Sequence, residues 1–200
     1  MGQLLGYEKI LKTAQLFGLD SSIKIANDLF SYSGCLPEDS GELSLANLSI
    51  GQGDLMLTPL SIARMTATVC NGGYLVNPCV YKGLYKNKTV VDEAEYKYKS
   101  KILDDDIALE IKQMCIDCVE NGTGRTAKPE NSTAGGKTAS SQTGKFNEKG
   151  KEILNTYFTG FYPADNPEFV ITVFAKNGKS GSATCAPVFK DICDYIEQNY

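Results

Sequence analysis

The sequence predicts an α+β fold, an antiparallel sheet packed with helices. Three observations lead there. Apolar residues recur at helical spacing between cap signals up to Gly122; aromatic and β-branched runs then alternate around a proline-rich turn; a last amphipathic stretch ends the chain.

Residues 4 to 17 are expected to be helical, because Leu4, Leu5, Ile10, Leu11, Ala14 and Phe17 fall near helical spacing and Gly18 supplies a stop. From there through Gly34 and Pro37 to Gly41 no period is visible. Thr58 is a good N-cap with Pro59 at the first helical position, Leu60, Ala63 and Ala67 mark a face, and Asn71-Gly72-Gly73 ends the helix. Residues 79 to 85 read as a short strand and 86 to 101 as a charged surface excursion. Asp104, Asp105 and Asp106 open a second long helix with the charge its dipole favours. Its expected buried stripe is Ile107, Ile111, Met114, Cys115, Cys118 and Val119, and Asn121-Gly122 closes it. Residues 157 to 162 and 169 to 175 form an expected hairpin around Pro163-Ala164-Asp165-Asn166-Pro167, with 137 to 143 as a third strand beside it. A closing helix is expected over 187 to 198. There is no internal repeat.

Two hundred residues with 42% hydrophobic content can bury a core. A net charge of −4 and scattered Lys and Arg exclude the basic footprint of a nucleic-acid binder. No apolar run approaches the roughly 18 residues of a membrane span, and Met1-Gly2-Gln3 lacks a signal pattern, so the chain reads as soluble. Seven cysteines are an odd set, which argues against a complete disulfide framework. Cys115 and Cys118 make a C-x-x-C inside a helical pattern with no second pair, and read as helix-face thiols. No metal or cofactor is expected.

Histidine is absent, which removes Ser-His and Cys-His nucleophile pairs. The chemistry left is lysine-centred, and Ala134-Gly135-Gly136-Lys137-Thr138-Ala139-Ser140-Ser141-Gln142-Thr143-Gly144 concentrates it. Gly136-Lys137-Thr138 matches the end of a phosphate loop, but Asn131 stands where the first glycine belongs and residues 140 to 144 start a helix poorly. As a strand, the segment puts Thr138, Ser140 and Gln142 on one face and Lys137, Ala139 and Ser141 on the other. Hydroxyls at two-residue spacing suit a carboxylate; a polar edge strand facing solvent would show the same pattern.

Four blocks together resemble the transpeptidase domain of class B penicillin-binding proteins, whose fold is shared with serine β-lactamases. They are Leu48-Ser49-Ile50-Gly51-Gln52-Gly53 with Leu57-Thr58-Pro59-Leu60 and Asn71-Gly72-Gly73; Val119-Glu120-Asn121-Gly122-Thr123-Gly124; Gly136-Lys137-Thr138 with Gln142-Thr143-Gly144; and Phe158-Thr159-Gly160-Phe161-Tyr162-Pro163-Ala164 with Asn166-Pro167. The resemblance implies that Lys137 supplies positive charge and a proton-relay contact, that Thr138 and Ser140 bind the substrate's terminal carboxylate, and that the Ser140 N–H is an oxyanion donor. Ala139 departs from the glycine usual there, and the added methyl is expected to be tolerated. Gly122-Thr123-Gly124 is expected to be a helix exit rather than a substrate contact.

The family's S-x-x-K nucleophile and S-x-N motifs precede the region that resembles this chain. The S-x-x-K string present, Ser21-Ser22-Ile23-Lys24, follows the first helix in what is a variable segment of the family, and no S-x-N occurs. The chain is therefore expected to be the C-terminal portion of an incomplete transpeptidase domain, with residues 4 to 73 a helical part bearing the Gly-Gln-Gly loop and 104 to 200 a helix plus the sheet. It would supply the carboxylate-binding strand but no nucleophile. Implied partners are the peptidoglycan stem peptide, β-lactams in the intact parent and the missing part of its own domain. Membrane attachment would come only through an absent anchor, on the extracytoplasmic face. Self-association through uncovered apolar surface is also expected. The alternative is a non-catalytic module of the same fold that binds cell-wall peptides or acts as a scaffold.

Overall fold

The computed structural model of the chain describes residues 1–26, 28–93 and 100–200. Its C-terminal part is a three-stranded antiparallel meander, β5 (Gly135–Phe146), β6 (Glu152–Tyr162) and β7 (Phe169–Gly178), in spatial order β5-β6-β7. The preceding chain gives α1 (Gly2–Leu5), α2 (Tyr7–Leu16), α3 (Glu42–Leu48), α4 (Pro59–Cys70), β1 (Tyr74–Leu75), β2 (Gly83–Lys86), β3 (Thr89–Glu93), β4 (Ser100–Lys101) and α5 (Asp105–Glu120). A 3₁₀ turn (Arg125–Ala127) leads toward β5, and a π-helical turn (Gly181–Cys185) runs into α6 (Ala186–Asn199).

The period of two along β6 assigns the layers. Thr156, Phe158 and Gly160 face the π turn and α6: Thr156 Oγ1 lies 3.4 Å from Cys185 Sγ, and the Phe158 and Phe189 rings are 4.7 Å apart. Thr159 and Phe161 face α4 and α5, with Thr159 Oγ1 2.8 Å from Thr66 Oγ1 and Lys112 Nζ 5.9 Å from the Phe161 ring centre. The core lies on the α6 side, where Phe158, Tyr162, Cys185, Ala186, Phe189 and Cys193 are buried with Val119 of α5.

The capped elements follow the sequence. Thr58 Oγ1 accepts from the Ser61 N–H at 3.1 Å, Pro59 opens α4 and Asn71 ends it. Asn121 caps α5, and the hairpin turns between Tyr162 and Phe169 as expected. Four expectations need correction. The helix over 4 to 17 is broken at Gly6, which has φ 78 and separates α1 from α2. The buried face of α4 is polar, formed by Ser61, Arg64, Thr66 and Thr68, while Leu60, Ala63 and Ala67 are only half-buried. Arg64 Nε donates to the Val76 carbonyl at 2.7 Å and Thr68 Oγ1 to the Arg64 carbonyl, so local bonds satisfy these groups. On α5, Ile111, Cys115, Cys118 and Val119 are half-buried or buried as expected, but Ile107 and Met114 are exposed, and Ala108 joins Ile111, Cys115 and Val119 on the inward line. That stripe is i, i+3, i+7, i+11. The strand expected over 79 to 85 begins only at Gly83 and pairs with β3 in a hairpin within the expected surface excursion; residues 94 to 99 of that excursion lie outside the described residues. Helix α3, at only seven residues, was not anticipated.

Burial pushes the Cys70 thiol up to about 11 and the Cys193 thiol up to about 12, from an ordinary 9.0. The folded chain keeps these protons at a pH where the unfolded chain has lost them, so their stabilising contribution is complete below about pH 9 and declines as pH rises toward 12. The expected result is a Tm that falls across that window, with Cys193 resisting iodoacetamide at pH 8 while exposed Cys35 reacts. Equal alkylation rates would contradict the burial argument.

Candidate functional site

Strand β5 brings the lysine-hydroxyl segment to an edge of the sheet. Thr138 pairs with Phe158 and Ser140 with Thr156, so both hydroxyls take the α6 face, while Lys137, opposite Thr159, takes the α4–α5 face. The three predicted residues thus lie within one strand, cation on one side and hydroxyls on the other.

Each has a definite neighbour. Lys137 Nζ, exposed, donates to the Thr138 carbonyl at 2.8 Å. Its charge reaches α5: burial and the neighbouring Cys118 push the Cys115 thiol up, and Lys137 pulls it back. Thr138 Oγ1 lies 3.0 Å from Thr123 Oγ1. Ser140 Oγ accepts from the Gly181 N–H at 3.1 Å and keeps its own proton to donate.

Gly181 sits against β5 because nothing larger fits. A Cβ there would lie 2.7 Å from the Ala139 carbonyl oxygen and 2.9 Å from its nitrogen, and would also meet the Tyr157 carbonyl. The approach comes from the face that Ser140 uses, whereas the Ala139 side chain points the other way and is exposed. The extra methyl at 139 therefore adds no crowding beneath the strand.

The outer edge of β5 is met by the Gly51-Gln52-Gly53 loop. Gln52 Nε2 donates to the Ser140 carbonyl at 3.1 Å, and the Gln142 N–H donates to Gln52 Oε1 at 3.3 Å. These bonds direct the backbone groups of Ser140 and Gln142 away from β6, and strand geometry aims the Ser140 N–H the same way. Gly51 and Gly53 have φ of 71 and 78, values that a side chain would strain, which lets the loop bring Gln52 to the strand.

Thr123, Gly181 and Gln52 are site neighbours whose roles sequence reasoning missed. Thr123 and Gln52 lay in quoted blocks, but spacing alone carries no sign of partners 15 and 88 residues away. Thr123 meets the Thr138 hydroxyl directly, so the turn that leaves α5 reaches β5. Ser21 and Lys24 lie in irregular chain rather than on a helical turn, and Ser21 Oγ donates to the Gly18 carbonyl at 3.0 Å. Cys115 and Cys118 are both half-buried on α5, as helix-face thiols. No described helix is long and apolar enough to cross a membrane.

Comparison with known proteins places these features in a family. The model of the penicillin binding protein transpeptidase domain matches residues 1–194. Peptidoglycan D,D-transpeptidase MrdA of Acinetobacter baumannii is 33% identical over 160 residues, covering 74% of this chain and 24% of that protein. Stage V sporulation protein D of Bacillus subtilis is 29% identical over 202 residues, covering 96% of the chain and 31% of that protein. The chain thus spans about a quarter to a third of these curated relatives. Among solved structures, penicillin-binding protein 3 of Mycobacterium tuberculosis superposes with TM-score 0.82 at 27% identity, over 98% of this chain and 47% of that one. The ceftriaxone acyl-enzyme complex of penicillin-binding protein A from the same organism reaches TM-score 0.84 at 21% identity, over 96% of this chain and 43% of that one, a likeness of fold. With the Lys-Thr strand on a sheet edge and a family match across nearly its whole length, the chain belongs to the penicillin-binding protein transpeptidase family.

Proposed function

We propose that this chain is the sheet-bearing portion of a D,D-transpeptidase that cross-links peptidoglycan stem peptides by serine acyl transfer, and that it supplies the strand that binds the substrate carboxylate and the oxyanion. The carrying observation is the edge of β5, where the Lys137 ammonium, the Thr138 and Ser140 hydroxyls and an outward Ser140 N–H share four residues. A peptide ending in D-Ala-D-Ala presents a carboxylate to the hydroxyls and a carbonyl to that N–H. Lys137 acts as proton relay and electrostatic anchor for a serine contributed from outside these 200 residues. The parent works on the extracytoplasmic face of the membrane, and β-lactams bind at the same strand edge. No metal or cofactor takes part in this scheme.

Such a carboxylate contact, exposed to solvent, is worth only about 0 to 1 kcal/mol. Titrating ¹⁵N-labelled chain with acetyl-D-alanyl-D-alanine is therefore expected to give millimolar-range shifts confined to Lys137, Thr138, Ser140 and Thr123, reduced in Lys137→Ala. Shifts elsewhere, or none, would sink the assignment. β7 has no strand partner on its outer edge among the described residues, and Phe174 beside it is exposed. We also infer self-association there; line widths that do not broaden with concentration would contradict it.

A further inference from the structure

Gln52 makes the two bonds that a neighbouring strand would make. Its carboxamide takes one backbone carbonyl, at Ser140, and one backbone N–H, at Gln142, on the edge of β5 that carries no strand among the described residues. Its mount is rigid. The Ile50 and Gln52 N–H groups both donate to the Asn47 carbonyl, at 3.1 and 2.9 Å, and the Gly51 N–H donates to the Leu48 carbonyl at 3.0 Å, tying the loop to the last turn of α3. The edge is thus divided. On the Thr138 side, the Thr138 carbonyl takes the Lys137 ammonium on its flexible stem. On the Gln142 side, a fixed amide closes it.

We propose that Gln52 is a positioning residue that stands in for a strand at the outer edge of β5, holding the Ser140 peptide in register and limiting any extended peptide ligand to the Thr138 side of Ser140. Its functional meaning rests on the reading of β5 as a peptide-binding edge. A primary amide suits this role because donor and acceptor are both needed on one carbon. A glutamate keeps the acceptor and loses the donor while ionised; an asparagine keeps both but is one methylene short.

The test is backbone amide exchange, followed residue by residue by NMR on the native chain and on Gln52→Ala, Gln52→Asn and Gln52→Glu at one pH near neutrality. The Gln142 N–H is expected to be protected in the native chain although no described strand pairs with it there. In Gln52→Ala and Gln52→Asn it should exchange about tenfold faster, with the amides that bond to β6 unchanged. Gln52→Glu should retain the protection, since its carboxylate still accepts from Gln142. Added acetyl-D-alanyl-D-alanine should shift Thr138 and Ser140 but not Gln142 in the native chain, and reach Gln142 once Gln52 is alanine. A native Gln142 amide that exchanges like an unpaired one overturns the proposal, as does a uniform acceleration along β5 in every variant. If Gln142 responds to Gln52 while the dipeptide shifts nothing, the positioning role stands and the peptide-edge reading fails.

Discussion

Incubation of the chain with excess benzylpenicillin is expected to leave its intact mass unchanged. Acylation needs a serine activated by a neighbouring base. Ser21 is the serine that a bare S-x-x-K pattern selects, yet it sits in irregular chain, spends its hydroxyl proton on the Gly18 carbonyl, and is not on the helical turn that would stack Lys24 beside it. The serines near Lys137 are strand residues, and Ser140 is bonded to Gly181. A stoichiometric penicilloyl adduct on any serine would overturn the reading in which the nucleophile comes from elsewhere. If a preceding segment of the same domain, co-expressed, restores labelling, Lys137→Ala should abolish it, because the relay and the positive charge go together. Labelling that survives the substitution would mean that another lysine serves the site.

The largest effect on stability is expected at Phe158. Its ring is fully buried between the sheet and Phe189 of α6, and it lies beneath the β5 backbone where Gly136 leaves no room for a side chain. Phe158→Ala should cost about 3 to 5 kcal/mol, a large part of the roughly 5 to 15 kcal/mol that a domain has. The urea midpoint reports it directly. A loss below about 1 kcal/mol would show that the ring is not the keystone of the layer between sheet and helix. Exposed Phe146, one strand over, should tolerate the same change, which separates burial from ring loss as the cause.

Elements whose determinants are local were legible in the sequence. Thr58 and Pro59 define the start of α4 through a single side-chain bond, and the turn of Pro163 to Pro167 separates β6 from β7 by chain chemistry alone. The alternation at Lys137, Thr138 and Ser140 likewise gave the two faces of β5 correctly. The buried face of α4 was not legible, because periodicity counts apolar residues while this helix buries Ser61, Arg64, Thr66 and Thr68 through bonds to carbonyls and to Thr159. The stripe of α5 was legible at Ile111, Cys115, Cys118 and Val119 but not at its margins: Ile107 and Met114 are as apolar as their neighbours, and the placement of β5 decides that they turn out. Thr123, Gly181 and Gln52 reach the site from distant sequence, so their contacts are properties of the assembled fold.

The distance along the chain between Gln52 and β5 orders the events of folding. The meander and α6 come from one continuous stretch, each strand paired with the next, so their contacts close short loops. The bond from Gln52 to Ser140 spans 88 residues. Closing a loop of that size costs roughly 4 kcal/mol of chain entropy beyond a constant, and its two hydrogen bonds return only about 1 kcal/mol each. They cannot draw the loop in by themselves. The Gly-Gln-Gly segment must be delivered by elements already docked, α4 against β6 and β7 above all. A chain emerging from denaturant therefore has its sheet before it has its site.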